Sequence, residues 1–309
     1  MSLYSESSVP EQRGKTIFVT GANTGIGFEA ARVLAARGAR ILLGCRSDEK
    51  AKAAMDTIRG DHPNADLAWI PLDLASLKSV EGAARLAAKE PRLDVLVNNA
   101  GVMVPPKTLT EDGFELQFGV NHLGHFALTG HLLERLAKTP GARVINVSSG
   151  AHRGGRIDFD DPHAAHSYKP MRRYQMSKAA NLYFTFELAR RCEAQGLDIT
   201  SLGCHPGVAD TELSRTLPSW FALLGPIIRP LFNTSAEGAL PTLLAATSPN
   251  VHPKDYYGPV GRWGMARSAG PATIADHIRD EAVARQLWDR SIEWTGVSYL
   301  AEAQKRRFR

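Results

Sequence analysis

Tyr174 and Lys178 are the two residues whose types and spacing point most directly to chemistry. They stand four positions apart in the segment YQMSK, inside a stretch of helical periodicity over about residues 171–195, so their side chains are expected on one helix face. An ammonium group beside a phenol stabilises the phenolate and lowers the tyrosine pKa. The pair is therefore predicted to exchange a proton with an alcohol or carbonyl oxygen near neutral pH, the alternative being an ordinary surface pair.

Three further polar positions are placed to assist such a proton transfer. A predicted strand at residues 143–147 runs into Ser148 and Ser149. Because neighbouring side chains on a strand point to opposite faces, one serine is expected to donate to the substrate oxygen and the other to be structural. Asn121 falls within a helix predicted for about residues 113–136, where asparagine is a poor helix former. It indicates a local bulge, in which a freed carbonyl group can hold a water molecule.

A glycine-rich turn follows the first predicted strand, residues 16–20, and opens a helix predicted for residues 25–37. Glycines at three positions would permit the tight turn, the approach of a pyrophosphate and close packing of the helix on the sheet. The helix N-terminus then presents free N–H groups to phosphates, whereas the alternative is a plain structural turn. The cofactor-binding residues predicted in this turn are Gly21, Asn23, Thr24, Gly25, Ile26 and Gly27.

The residues at the end of the second predicted strand indicate which nicotinamide cofactor is preferred. It reads Gly-Cys-Arg-Ser and carries no Asp or Glu that would bond the ribose 2′-hydroxyl of NAD. Arg46 offers a planar, permanently charged fork suited to a 2′-phosphate, and Ser47 with its neighbouring N–H groups adds hydrogen bonds. NADP(H) is therefore the preferred cofactor, with NAD(H) as the alternative; an ordinary surface arginine is the other interpretation of Arg46.

Two more strand ends are predicted to face the cofactor. Asp73 follows the third strand and would meet the adenine edge, or else cap the helix that begins near Ser76; Leu74 stands beside it. The fourth strand ends in the segment NNAG, whose small residues would let a cofactor lie across the strand ends. The candidates there are Asn99, Ala100 and Gly101. The asparagines would alternatively serve to tie backbone groups together.

Short β-branched runs alternate with helical periods along the chain, which predicts an α/β fold: a doubly wound, Rossmann-type parallel sheet of about seven strands with helices on both faces, a three-layer sandwich. No internal repeat or long linker divides it, so we expect one domain over residues 1–309, with its core at about 13–300. The chain has three cysteines, Cys45, Cys192 and Cys204, with no CxxC spacing, so neither a disulfide nor a zinc site is expected. Such cysteine usage favours a reducing, cytoplasmic setting.

Composition excludes several other classes of protein. The net charge is +5, but the basic residues are spread along the chain except in a C-terminal tail, residues 301–309, which is expected to be solvated rather than to bind nucleic acid. The N-terminus is polar and has no signal-peptide pattern. The longest apolar stretch, residues 220–232, is too short to span a bilayer, so no stable membrane insertion is expected. No His, Asp or Glu spacing indicates a metal.

With these residues the sequence resembles the short-chain dehydrogenase/reductase family. The TGxxxGxG turn, NNAG, a helix Asn, a strand-five Ser, YxxxK and the HPG segment occur in the family's order. The resemblance implies a catalytic tetrad of Asn121, Ser149, Tyr174 and Lys178, with Ser149 rather than Ser148 as the family serine. It further implies that Lys178 holds the nicotinamide ribose and connects to a water near Asn121. The residues implied to line the nicotinamide are His205, Pro206, Gly207, Val208 and Thr211.

The segments NHLGHF, VSSGAH and Cys-Arg, and the long interval between Ser149 and Tyr174, resemble the retinol dehydrogenase-like branch, which includes relatives of protochlorophyllide reductase. Two departures stand out. The membrane-bound retinol dehydrogenases carry an apolar N-terminal anchor, which is not seen in this sequence. Val208 stands where protochlorophyllide reductases carry a cysteine, so photochemistry is not expected.

The substrate side is predicted in the segment after the sixth strand. Residues 211–233 are apolar yet broken by prolines, which favours a lid over a lipophilic ketone, aldehyde or alcohol. The alternatives are a core segment, an oligomer contact or a membrane contact; the chain itself is either a monomer or a homo-oligomer. The polar insert at residues 153–173 is expected to be a solvated loop.

The predicted function is hydride transfer between nicotinamide and a lipophilic ketone, aldehyde or alcohol. The alternative is a non-catalytic NADP(H)-binding sensor or scaffold on the same fold.

Overall fold

A computed structural model describes residues 4–207, 233–260 and 268–299 of the chain. Within these residues one sheet of eight strands has the order β3-β2-β1-β4-β5-β6-β7-β8. Neighbouring strands are parallel except for β7 and β8, which are antiparallel. The strands are β1 Thr16–Thr20, β2 Arg40–Cys45, β3 Leu67–Pro71, β4 Val95–Asn98, β5 Ala142–Val147, β6 Ile199–Cys204, β7 Tyr256–Pro259 and β8 Ala269–Pro271.

Helices connect the strands and cover the sheet. They are α1 Gly25–Ala36, α2 Asp48–Asp61, α3 Leu77–Ala87, α4 Leu116–Phe118, α5 Gly124–Ala137, α6 Pro170–Ala194, α7 Ser235–Thr247 and α8 Glu281–Thr295, with short 3-10 turns at Glu6–Ser8, Gly150–Gly154 and Asp276–Arg279. The helices predicted over residues 25–37 and 171–195 agree with α1 and α6 to within about one residue at each end. The predicted doubly wound α/β fold is confirmed.

Successive side chains along the strands pack into two separate hydrophobic clusters, one on each face of the sheet. In β1, Ile17 and Val19 join a cluster with α1, α2 and α7, whereas Phe18 joins a cluster with α3, α5, α6 and α8. Every residue of β1 is buried, as expected for a parallel strand covered on both faces. The sheet is therefore the middle of three layers, and its strand order reverses between β1 and β4, where such folds bind their ligands.

The prediction of about seven strands missed β8. This edge strand spans only Ala269–Pro271 and contains no β-branched or aromatic residue, so its sequence carries no strand pattern. It pairs antiparallel with β7 through Gly258 and Gly270, among others. A proline is tolerated there because an edge position needs fewer ladder hydrogen bonds.

The helix predicted for residues 113–136 is interrupted. It consists of the short helix α4, a π-helical turn at Gly119–Leu123, and α5. Asn121 is the central residue of the π turn. A π turn widens the backbone by one residue, and such turns frequently mark functional sites.

In the insert after β5, more than half of residues 153–173 are exposed, as expected of a solvated loop, but the insert is anchored by contacts that the sequence did not indicate. The Arg173 guanidinium forms an ion pair with Asp161, 2.8 Å from Nη2 to Oδ2, and both side chains are less than a tenth exposed. His163 donates from Nδ1 to the Gly113 carbonyl at 2.7 Å and stacks on Phe114. The insert is thereby held against both α6 and the chain that leads into α4.

Candidate active site

Helix α6 carries Tyr174 and Lys178 into the interior of the protein. The helix starts at Pro170, whose fixed φ suits a first helical position. Tyr174 is 3% exposed and Lys178 is 4% exposed, so the pair is not an ordinary surface pair. The Lys178 Nζ atom lies 5.6 Å from the centre of the Tyr174 ring. It also donates to the carbonyl oxygen of Val147 at 3.3 Å, which holds the ammonium group at the end of β5.

The two serines after β5 have different surroundings. Ser148 is buried, and its hydroxyl donates to the main-chain carbonyl of Lys178 at 2.7 Å. Ser149 is half-buried, and its Oγ accepts from the N–H of Ala151 at 3.2 Å while capping the 3-10 turn that follows. Ser148 therefore ties β5 to α6, and Ser149 is the serine at the accessible tip of the strand.

Asn121 fastens the chain after β4 to α6. Its side chain accepts from the N–H of Val102 at 2.8 Å and donates to the carbonyl of Val102 at 2.9 Å. The same amide nitrogen is 2.9 Å from the Ser177 hydroxyl, to which it donates. A Cβ atom on Gly101 would lie 3.1 Å from Asn121 Oδ1 and 3.5 Å from Lys178 Nζ. Asn121, Gly101 and Lys178 thus converge on one small region.

The glycine turn has a backbone geometry that depends on its glycines. Gly21 and Gly25 have φ values of 68° and 59°, in the left-handed region that favours glycine. A Cβ atom on Gly27 would lie 2.4 Å from the carbonyl oxygen of Gly21, so only glycine allows this helix to pack so closely. Asn23 is half-buried and Thr24 is exposed at the start of α1. Among the described residues, the Thr24 side chain makes no capping hydrogen bond, which leaves the first N–H groups of α1 directed at the turn.

The NNAG segment is bound to the glycine turn. The Asn99 amide donates to the carbonyl of Thr20 at 2.8 Å. The hydroxyl of Thr20 accepts from the main-chain N–H groups of Asn99 and Ala100, both at 2.9 Å. Asn98 donates to Asn146 at 2.8 Å and so ties β4 to β5. Asn99 therefore ties a backbone group, as considered in the alternative, whereas Asn98 links side chains of neighbouring elements.

The tips of β2 and β3 bring Arg46 and Asp73 to within 4.0 Å of each other, with the Arg46 side chain 73% exposed. Ser47 caps α2 by accepting from the N–H of Lys50 at 3.2 Å. Asp73 accepts from the N–H of Ala75, and the cap of α3 is Ser76 rather than Asp73. Ile26 of the turn is half-buried.

Leu74 is buried against Gly124, where a Cβ atom would lie 2.7 Å from the Leu74 carbonyl oxygen. The side chain belongs to the same core cluster as α3 and α5. Leu74 is therefore part of the packing beneath the site.

The segment after β6 is described only as far as Gly207. His205 packs on Tyr256, with ring centres 5.3 Å apart, and burial lowers its pKa to about 4, assisted by the charges of His152 and Arg153. The carbonyl of Pro206 accepts from the Asn233 amide at 3.1 Å. Val208, Thr211, most of the predicted lid at residues 211–233, and the basic tail lie outside the described residues.

Sequence patterns missed two residues that organise this site. The Thr20 hydroxyl holds the NNAG amides, and its position directly before Gly21 was the available signal. Gln117 accepts from the N–H of Val104 at 2.8 Å and donates to the carbonyl of Pro170 at 3.0 Å, which joins the chain after β4 to the start of α6. A glutamine at a helix start gives no sequence signal for such a link.

Nothing in the described ranges forms a cluster of three or more His, Cys, Asp or Glu side chains that would hold a metal ion. All three cysteines are buried. Of the helices that the structure describes, none is long and apolar enough to cross a membrane.

Comparison with known proteins agrees with this geometry. The family model described as short chain dehydrogenase matches residues 15–221. The chain is 44% identical to retinol dehydrogenase 13 of Homo sapiens over 302 residues, covering 95% of this chain and 87% of that protein. It is 41% identical to retinol dehydrogenase 12 of Mus musculus, covering 93% and 88%.

Solved structures show the same relationship. A crystal structure of an uncharacterized protein from Mycobacterium paratuberculosis is 35% identical, with a TM-score of 0.81 over 97% of this chain and 100% of that one. A dehydrogenase/reductase from Sinorhizobium meliloti 1021 is 25% identical, with a TM-score of 0.61 over 78% and 92%. The chain therefore belongs to the short-chain dehydrogenase/reductase family, in its retinol dehydrogenase-like branch, and is an enzyme that acts on alcohol or carbonyl groups with NAD(P).

Proposed function

We propose that this enzyme uses NADP(H) to interconvert a lipophilic alcohol and its ketone or aldehyde, with Tyr174 as the acid/base. The observation that carries the proposal is the buried pair in α6. The Lys178 ammonium lies 5.6 Å from the centre of the Tyr174 ring and is held on the end of β5. A buried phenol next to a fixed ammonium is suited to exchanging a proton with an alcohol oxygen.

The residues of the glycine turn fit the diphosphate of a dinucleotide. The absence of side chains at Gly21 and Gly27 would let the backbone approach the diphosphate closely. The start of α1 supplies N–H groups and the positive end of the helix dipole. Asn99, Ala100 and Gly101 would lie beside the cofactor, with Pro206 and Gly207 at the nicotinamide end. When bound, the nicotinamide supplies or accepts the hydride.

The proton side of the reaction falls to the tetrad. Tyr174 gives its hydroxyl proton to the carbonyl oxygen during reduction and takes it back during oxidation. Ser149, at the tip of β5, donates to the same substrate oxygen and stabilises the developing charge. Lys178 keeps the phenol in a state that exchanges protons readily, and Asn121 holds the π turn beside it.

The preference for NADP(H) rests on Arg46. Its guanidinium is exposed at the tip of β2, at the position where the ribose of a dinucleotide lies in this fold. A planar, permanently charged fork binds a phosphate by two parallel hydrogen bonds. Asp73 lies 4.0 Å from Arg46, near enough to orient the arginine. Ser47 caps the N-terminus of α2, which begins directly after it.

A lipophilic substrate is supported by two observations. Several relatives are named retinol dehydrogenases. The segment from 211 to 233, which we propose as the lid, is rich in apolar residues. A cytoplasmic location without stable membrane insertion belongs to the same proposal.

The test is a panel of lipophilic carbonyl compounds and alcohols, followed through NADPH or NADH absorbance. We expect turnover with NADPH, and loss of kcat by about a thousandfold or more in Tyr174→Phe while NADPH binding is kept. A Tyr174→Phe variant as active as the wild type would overturn the acid/base assignment. Tight NADPH binding without turnover on any compound would instead favour a sensor.

A further inference from the structure

His125 connects the π turn to the glycine turn through two buried hydrogen bonds. Its Nδ1 atom lies 3.0 Å from the carbonyl oxygen of Asn121, and its Nε2 atom lies 2.9 Å from the Thr20 hydroxyl. Asn121 and Thr20 are fully buried, and His125 is 2% exposed. The ring therefore spans from a residue of the tetrad to the residue that precedes Gly21.

The protonation of this ring follows from its two partners. A carbonyl oxygen only accepts, so Nδ1 must carry the proton that it donates to Asn121. In a neutral imidazole Nε2 is then an acceptor, and the Thr20 hydroxyl must donate to it. Thr20 has both its lone pairs engaged by the N–H groups of Asn99 and Ala100, which leaves its single proton for His125. The alternative acceptor for that proton, the carbonyl of Val97, is farther away at 3.3 Å.

We propose that His125 is a positioning residue: its neutral ring, protonated on Nδ1, holds the carbonyl of Asn121 in register with the turn that binds the cofactor. The inference rests on the proposed function of this site. One ring accepts from the hydroxyl that organises the NNAG amides and donates to the main chain of the tetrad asparagine.

The position of Asn121 explains why such support is needed. The π turn shifts backbone hydrogen bonds by one residue, so the orientation of its carbonyl groups is set partly by side chains. The Asn121 side chain is already committed to Val102 and Ser177. Its carbonyl is oriented by His125, one helical turn later.

The surroundings keep the ring neutral. Burial lowers the pKa of His125 to about 4; the hydrogen bond to Asn121 raises it, and the nearby charge of Lys178 lowers it. A neutral ring satisfies both bonds, whereas a charged ring would place a second proton against the hydroxyl of Thr20. The ring is therefore a fixed hydrogen-bond bridge near neutral pH rather than a proton donor to the substrate.

His122 provides a matched control for this bridge. It is equally buried and lies three residues earlier, within the π turn itself, but its Nε2 atom is 3.0 Å from the Ser291 hydroxyl on α8, away from the glycine turn. Replacing either histidine by phenylalanine keeps an aromatic ring of similar size and removes its polar atoms. Only His125→Phe breaks the bridge, whereas His122→Phe removes one hydrogen bond, to Ser291, and a buried Nδ1 atom for which the described residues offer no partner.

The experiment compares kcat, KM and NADPH dissociation constants for wild type, His125→Phe and His122→Phe, with the dissociation constants read by NADPH fluorescence. We expect His125→Phe to lower kcat about 10- to 100-fold, with KM for the carbonyl substrate changed by less than about threefold. NADPH affinity should weaken several-fold through Thr20. His122→Phe should keep kcat to within about twofold, even where its melting temperature falls equally.

Two conservative variants separate the halves of the bridge. His125→Asn places its amide near the original Nδ1 and should recover much of kcat, because it reaches the Asn121 carbonyl. His125→Gln places its terminal amide near the original Nε2 and should recover NADPH affinity, because it reaches Thr20. Independently of activity, the ¹⁵N spectrum of the wild-type ring should show a proton on Nδ1 and none on Nε2.

The outcomes separate this inference from the proposed function. A folded His125→Phe with wild-type kcat, a His122→Phe that loses as much kcat, or a ring protonated on Nε2 would each overturn the positioning role alone. A wild-type enzyme that turns over no carbonyl or alcohol with NADPH would overturn the proposed function, and the inference with it.

Discussion

Arg46 and Asp73 face each other across the tips of β2 and β3, with 4.0 Å between Nη1 of the arginine and Oδ2 of the aspartate. Both side chains are substantially exposed, so the pair contributes little to stability. Its significance lies in placement, because the carboxylate lies beside the guanidinium without burying it, at the edge of the region where we propose that the cofactor binds. Arg46 remains accessible to a phosphate group.

Replacing Arg46 by alanine should reduce the preference for NADPH. A charge-assisted hydrogen bond to a phosphate is worth about 1.5–3 kcal/mol, so the NADPH dissociation constant should rise about 10- to 100-fold. NADH binding should change by less than about twofold, because NADH has no 2′-phosphate. Arg85→Ala is the matched control, since that arginine is similarly exposed, at 67%, and pairs with Glu81 on α3. Equal weakening of both cofactors would contradict this role of Arg46.

A methyl group at position 27 should damage the glycine turn. In Gly27→Ala the new Cβ would lie 2.4 Å from the Gly21 carbonyl oxygen and 2.5 Å from Asn99 Nδ2, so the backbone of the turn must move. We expect the free energy of unfolding to fall by about 1–3 kcal/mol and NADPH affinity to drop at least about tenfold.

The control for this substitution is Gly82→Ala in α3, where a Cβ would meet nothing within 4 Å. That change should raise stability by about 0.5–1 kcal/mol and leave NADPH binding unaltered. Urea unfolding and fluorescence titration measure both quantities. Unchanged NADPH affinity in Gly27→Ala would show that the turn tolerates a side chain.

The sequence predicts the parts of this molecule that depend on local pattern. The runs of apolar residues in β1 and β4, the spacing of Gly21, Gly25 and Gly27, and the interval between Tyr174 and Lys178 each have a short-range physical meaning. A poor helix former at Asn121 likewise indicated a disruption, which is the π turn at Gly119–Leu123. In these cases the local preference and the folded structure agree.

Features that depend on distant partners escaped prediction. β8 is a strand because β7 lies beside it, not because Ala269–Pro271 favours extended structure. The insert is anchored because Arg173 meets Asp161, a contact that its polar composition does not indicate. Gln117 joins two segments that only the fold brings together. Tertiary contacts of this kind leave no periodic signal.

Buried histidines should make the protein less stable in mild acid. Burial lowers the pKa of His122 to about 3 and those of His125 and His205 to about 4, from an ordinary 6.5. Below 6.5 the unfolded chain binds protons at these positions and the folded chain does not, so stability falls as the pH falls towards the folded pKa values. Above 6.5 this effect is absent. Each histidine contributes a slope of up to about 1.4 kcal/mol per pH unit.

Urea unfolding at several pH values above about 5, where most carboxyl groups stay ionised, measures this slope. His122→Leu removes one titrating group and should make the slope shallower by up to about 1.4 kcal/mol per pH unit towards pH 5, whatever its effect on the stability at neutral pH. Gly82→Ala, which changes no titratable group, should keep the wild-type slope. A stability that stays constant between neutral pH and pH 5 would contradict the neutral state of these rings.

The buried ion pair of the insert should also be required for activity, because Arg173 directly precedes Tyr174. The guanidinium bonds to the carboxylate and to the main-chain carbonyl of Asp161, the latter at 2.7 Å, and to the carbonyl of Ser167 at 3.2 Å. Asp161→Leu leaves this charge buried without its closest carboxylate. We expect a loss of about 3 kcal/mol in the free energy of unfolding, and a lower kcat because the first turn of α6 is no longer anchored.

The double variant Asp161→Leu/Arg173→Leu removes the charge together with its partner. It should be more stable than Asp161→Leu alone, because an apolar pair costs less than an unpaired buried charge. Its kcat should nevertheless remain below that of the wild type, since the hydrogen bonds from Arg173 to the insert are lost. The cycle comprises the wild type, Asp161→Leu, Arg173→Leu and the double variant. Denaturant unfolding and steady-state kinetics on these four proteins measure the coupling between the two side chains. Additive losses of stability would mean that the two side chains do not support each other, and that other contacts hold the insert against the catalytic helix.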